Sequence, residues 1–175
     1  MTPHRFFTRN LPGLHYAVRI CIGGTLLWVI LGKARDTHAI WAVISLIIVT
    51  EPNVKTALAT FKSRIFNTLI GCAVGMIFLL AAGPKDWVLP VALTVTVAIS
   101  TYVTRMEVSW RIAPIAAVIV MSSGLLGHSR MSGVEAALQR TGEVFLGGAT
   151  ALLVAWLLSL IWMPEDPGQG GPSPG

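Results

Sequence analysis

The sequence predicts an all-α membrane protein: six transmembrane helices, arranged as two inverted three-helix repeats with short amphipathic arms. Three observations predict it. The chain is 54% hydrophobic and only 12% charged, with a mean hydropathy of +0.70, whereas a soluble domain carries about 25% charged residues. Its charges are also spaced so that long uncharged runs lie between them. Finally, the stretch EPNVKTALATFKSRIFNTLIGCAVG (residues 51–75) has a fainter echo in ALQRTGEVFLGGATA (residues 137–151). The offset is the same for arginine and glycine: 140 − 64 = 76 and 147 − 71 = 76.

Cutting the chain at Asp, Glu, Lys and Arg leaves six runs: 20–32, 37–50, 65–84, 87–104, 112–129 and 144–164. A spanning helix needs roughly 20 mainly apolar residues, with about 17 as a minimum. The last four runs meet that length. The first reaches it when Arg19 sits at or just inside the interface.

In chain order, residues 1–13 read as a cytoplasmic lead-in. Tyr16 to Leu31 forms the first span, a signal anchor that stays in the membrane. The second, His38 to Thr50, ends at Glu51-Pro52, where proline disfavours helical geometry in the residue before it. At 13 residues it is too short to cross upright, so Glu51 and Pro52 mark a helix break or a gate. Residues 54–63 set Val54, Leu58 and Phe61 against Lys55 and Lys62, the pattern of an interfacial arm. Arg64 to Ala82 is span three. Gly83-Pro84-Lys85-Asp86 is a turn, and Trp87 to Thr104 is span four. Ile112 to Leu126 is span five, residues 127–139 form a second arm, and Arg140 to Met163 is span six. The Pro/Gly-rich tail, 164–175, is expected to be disordered. The membrane domain covers 14–163, with repeat one at about 14–83 and repeat two at about 86–163. Three spans per unit is an odd number, so the second copy enters from the opposite side and the repeats are inverted.

The net charge of +5 lies in the gaps between apolar runs, which fits membrane topology and gives no nucleic-acid face. With a cytoplasmic N-terminus, eight Lys and Arg fall inside and five outside. The positive-inside rule then places both termini in the cytoplasm. Cys21 and Cys72 lie in apolar helix patterns without CxxC or metal spacing, so no cofactor or metal is expected. HExxH, GxSxG, Walker loops and paired carboxylates within one span are all missing, which argues against an enzyme.

Arg64 and Arg140 are the leading substrate-binding candidates. Two inverted arginines near a pseudo-two-fold axis make a positive site for an organic anion, and a guanidinium can donate two parallel hydrogen bonds to a carboxylate. Arg19, one turn before Gly23, is a third candidate charge or a positive-inside anchor. Three residues past each arginine the copies differ, with Asn67 in one and Glu143 in the other. Glu143 can pair with Arg140 at i, i+3 or couple a proton. Arg64 has no such neighbour in its helix, which makes it the favoured partner of an anion. Gly71-x-x-x-Gly75 and Gly147-x-x-x-Ala151 are small-residue packing motifs.

WAVISLIIVTEP (41–52), the segment after it, Arg64 and TLIG resemble the fusaric acid resistance-like membrane domain, also found in aromatic acid exporters, with a relative in plant aluminium-activated malate transporters. Trp41, Pro52, Arg64, Thr68 and Gly71 match that family's pattern, and LQRTGEVFLGGATALLVA (138–155) is similar to its sixth span. Asn67 departs from the pattern, standing where the family usually has glycine. The resemblance implies a six-helix bundle of inverted repeats that exports or conducts organic anions, aromatic carboxylates among them, in the bacterial inner membrane. Larger members fuse two six-span halves, so a homodimer is the expectation here. The alternative is a non-transporting membrane scaffold or an accessory subunit of a larger complex.

Overall fold

A computed structural model describes residues 11–33, 39–51, 53–103 and 111–161. These form six helices and no strand. They are α1 (Leu11–Lys33), α2 (Ala39–Val49), α3 (Val54–Ala82), α4 (Val88–Val103), α5 (Ile112–Leu126) and α6 (Arg130–Ile161). The lead-in up to residue 10, Pro52 and the tail lie outside the described residues.

Helix number matches the expectation of six, but helix length does not. Three helices are long and apolar enough to cross a membrane: Gly13–Leu31, Val54–Ala82 and Arg130–Leu160. The other three, α2, α4 and α5, have 11, 16 and 15 residues. At 1.5 Å per residue these reach about 17, 24 and 23 Å, short of a hydrocarbon core of about 30 Å.

The two expected amphipathic arms are not separate elements. Residues 54–63 are the first turns of α3 and residues 130–139 the first turns of α6. Asn53 starts α3, its side-chain oxygen accepting from the Lys55 N–H at 2.8 Å. No proline follows before Arg64, and lysines interrupt hydropathy without interrupting the backbone hydrogen-bond ladder. Both arginines therefore sit well inside their helices instead of at the head. Each is ten residues past the first (64 − 54 and 140 − 130), or about 15 Å of rise.

α1 and α2 form a hairpin. The Tyr16 hydroxyl donates to the Ile47 carbonyl at 3.1 Å and Arg19 Nη1 donates to the Glu51 carbonyl at 2.6 Å. Carbonyls at a helix C-terminus lack partners within the helix, so these side chains complete the end of α2. Leu27, Leu31, Ala42, Leu46, Val49 and Ala151 close the core there. The α4–α5 hairpin packs through Val88, Ala92 and Met121. α5 stops in a Schellman turn: Ser129 N–H bonds the Gly124 carbonyl, His128 N–H bonds that of Leu125, and His128 takes φ 47°.

The long helices cross through small residues. A Cβ on Gly71 would collide with the Ala113 carbonyl and stand 2.8 Å from the Ala116 Cβ. A Cβ on Gly147 would collide with the Ala42 carbonyl and stand 2.8 Å from the Ser45 Cβ. Only glycine permits this approach. Gly75 then meets Ala117, one turn along, so α3 and α5 run parallel. α3 and α6 run antiparallel: Phe61 covers Gly148, and the Cys72 sulfur lies 3.9 Å from the Ala137 carbonyl oxygen. These contacts come in exchanged pairs. Ala42 and Ser45 correspond to Ala113 and Ala116 (113 − 42 = 116 − 45 = 71), and Phe61·Gly148 corresponds to Ala137·Cys72 (137 − 61 = 148 − 72 = 76).

Candidate functional site

The crossing of α3 and α6 carries both arginines. Arg64 is 3% exposed and Arg140 is 4% exposed. Phe61 is level with Gly148, so Arg64 is level with Phe145, five residues past Arg140 on α6. That offset is about 7.5 Å of helix rise. The two guanidinium charges repel each other.

α2 brings a different group to each. Arg64 Nε donates to Ser45 Oγ at 3.3 Å, while the Ser45 hydroxyl donates back to the Trp41 carbonyl at 2.9 Å. Arg140 instead lies over the Trp41 ring, its Cζ 4.1 Å from the centroid. That is a cation–π contact, which supplies no hydrogen-bond acceptor. Arg140 Nε and Nη1 are buried without a hydrogen-bond partner. Glu143, 9% exposed, attracts the Arg140 charge from one turn away.

Among the described residues, Thr68 contributes the third buried side-chain atom lacking a partner, its Oγ1. Thr68 is 1% exposed. It lies between Phe61 and Cys72 on the stripe of α3 that faces α6 (61, 68, 72), at nearly the level of Arg140. Cys72 touches Ala137 and Thr141 on α6. Unpartnered polar atoms are rare in folded interiors because each costs about 1–3 kcal/mol, and more when charged. Here they gather at one level of one helix crossing.

The profile of a family described as fusaric acid resistance protein-like matches residues 20–154. The chain belongs to that family. The matched region runs from α1 to α6 and includes Trp41, Arg64, Thr68 and Arg140. No curated protein matches the chain, and no solved structure does. Family and helix composition together make this an integral membrane protein of a transporter-like kind.

The other candidate residues of this family member fall elsewhere. Arg19 reaches the end of α2 at Glu51, away from the α3–α6 crossing. Thr50, Glu51 and Asn53 lie outside helix, between α2 and α3, and Glu51 is half-buried. Asn67 is fully buried and bonded: its Nδ2 donates to the Ser63 carbonyl at 2.9 Å, and its Oδ1 accepts from Ser100 Oγ at 3.1 Å. The position equivalent to Glu143 thus ties α3 to α4. Gly71, Gly75 and Gly147 are contact points between helices.

Sequence reasoning passed over Ser45, and it gave Trp41 only as a match to the family pattern. Their signal was present but faint. Ser45 is a hydroxyl one turn past Trp41 in an apolar run, and Thr68 is one turn past Arg64.

Proposed function

We propose that this protein moves small organic anions, aromatic carboxylates among them, across the bacterial inner membrane through a site at the α3–α6 crossing. One observation carries the reading: three buried, unpartnered polar atoms, Arg140 Nε, Arg140 Nη1 and Thr68 Oγ1, gather at the crossing that also buries Arg64. A carboxylate supplies the acceptors and the negative charge that these groups lack, while the Trp41 ring and the apolar helix faces hold the organic part. Glu143 tempers the positive charge, so the anion binds without being trapped.

Inverted-repeat architecture fits the site. The exchanged contacts Gly71·Ala113/Ala116 and Gly147·Ala42/Ser45, with the antiparallel α3 and α6, support two units related by an in-plane pseudo-two-fold axis. The units are about 14–83 and 86–163. In this reading α2, α4 and α5 are short spans that complete six, both termini are cytoplasmic, and two copies form a homodimer. A reporter fused at Gly83 would then sit outside the cytoplasm; finding it inside rejects the topology.

Transport is tested on the purified full chain in lipid vesicles loaded with benzoate. Wild-type protein should release benzoate faster than empty vesicles, and Arg140→Gln should return release to the background. Equal release by wild type and Arg140→Gln rejects the site. No release from any protein sample, with the chain folded, favours the scaffold or accessory-subunit role instead.

A further inference from the structure

Within the crossing the two guanidinium groups are covered differently, nitrogen by nitrogen. Arg64 uses Nε to hold Ser45. Its terminal pair, Nη1 and Nη2, makes no hydrogen bond among the described residues, and neither nitrogen is sealed inside the fold. Arg140 is the reverse: Nε and Nη1 are sealed and unpartnered, and the Thr68 hydroxyl shares that state. Arg64 therefore presents a complete two-nitrogen fork of the kind that grips a carboxylate, whereas Arg140 presents none until something moves. One cover on Arg140 is the Trp41 ring, which lies on its face with 4.1 Å between Cζ and the ring centroid. Trp41 is only half-buried and is the third residue of α2. Swinging the ring leaves the backbone in place, because the Trp41 group that holds Ser45, and through it Arg64, is the carbonyl.

We infer that the crossing holds two anion subsites in series: the Arg64 fork, which receives the carboxylate, and an inner subsite of Arg140 and Thr68, which the Trp41 ring closes as a lid. The inference rests on the anion-binding reading of this crossing. Thr68 is one turn past Arg64 on α3 and nearly level with Arg140, so a carboxylate leaving Arg64 meets a hydroxyl and a second guanidinium. The step between the two arginines is about 7.5 Å of helix rise. With the lid shut, the aromatic face answers the charge of Arg140 but accepts none of its N–H groups. With the ring swung aside, the carboxylate accepts from Arg140 and Thr68 together, and the ring is free to lie against the organic part of the ligand. Arg64 and Arg140 thus touch the anion in turn, and Trp41 gates the passage between them.

Two measurements on the full-length chain test this. Phenylglyoxal bridges two nitrogens of one guanidinium, so labelling read by mass spectrometry reports which fork is reachable and needs no transported ligand. Benzoate affinity by calorimetry reports the anion. In wild type, Arg64 should label well ahead of Arg140, and benzoate should protect Arg64. Trp41→Leu should bring Arg140 labelling up toward that of Arg64 and leave Arg64 unchanged, since the carbonyl at 41 remains. Arg64→Lys keeps the charge but removes the fork; it should weaken benzoate binding about tenfold, the worth of one charge-assisted hydrogen bond. If the arginines label equally in wild type, or if Trp41→Leu leaves Arg140 as slow as before, the lid is overturned while anion binding stands. Benzoate protection of Arg140 alone in wild type overturns the order of the subsites. Labelling as expected with no binding of benzoate or acetate overturns the anion reading, and the paired subsites with it.

Discussion

A buried cation with open donors should cost the protein stability, and removing it tests whether the site is held for a ligand. Consider the double substitution Arg140→Met and Glu143→Gln. It removes the charge and its attracting carboxylate together, so neither is left buried alone. Two unpartnered nitrogens disappear, worth about 2–6 kcal/mol at roughly 1–3 each. The contact with Trp41 is lost, about 2 kcal/mol when desolvated. Repulsion between Arg140 and Arg64 is relieved as well. The balance is a gain of about 0–4 kcal/mol, which raises Tm by up to about 16 °C if a chain of this size follows the usual 2–4 °C per kcal/mol. Thermal unfolding in detergent gives the stability, and benzoate release from vesicles gives the function. Unchanged or raised Tm with background release is expected. A fall in Tm of more than about 6 °C would refute the reasoning, because it would make Arg140 a structural group satisfied by the fold.

The helix crossings and the α2 terminus yield further tests. Gly71→Ala and Gly147→Ala should destabilise by similar amounts, about 1–3 kcal/mol each, since each new methyl meets a carbonyl and a Cβ in the same arrangement. Denaturation of the two variants side by side checks this, and a large inequality would count against equivalent halves. Arg19→Leu should cost about 1.5–3 kcal/mol by stripping the Glu51 carbonyl of a charged donor. Asn67→Leu should cost about 1–3 kcal/mol by leaving the Ser100 hydroxyl without its Asn67 acceptor; loosening of α4 would appear as faster amide exchange.

How far the sequence could be read depends on the range of the interaction involved. Charge spacing located all six helices because a charge in lipid is expensive wherever it falls, a property of the residue alone. It misjudged the arms for the same reason. Lys55 and Lys62 are exposed on α3, and their cost is borne at the helix surface while the backbone continues unbroken from Val54. The 76-residue spacing of Arg64 and Arg140 was visible, and so was the local contrast of Asn67 with Glu143. Helix-local reasoning stops at that contrast and favours Arg64. What occupies each arginine comes from a third helix, at Ser45 and Trp41, which no i, i+3 or i, i+4 rule can reach.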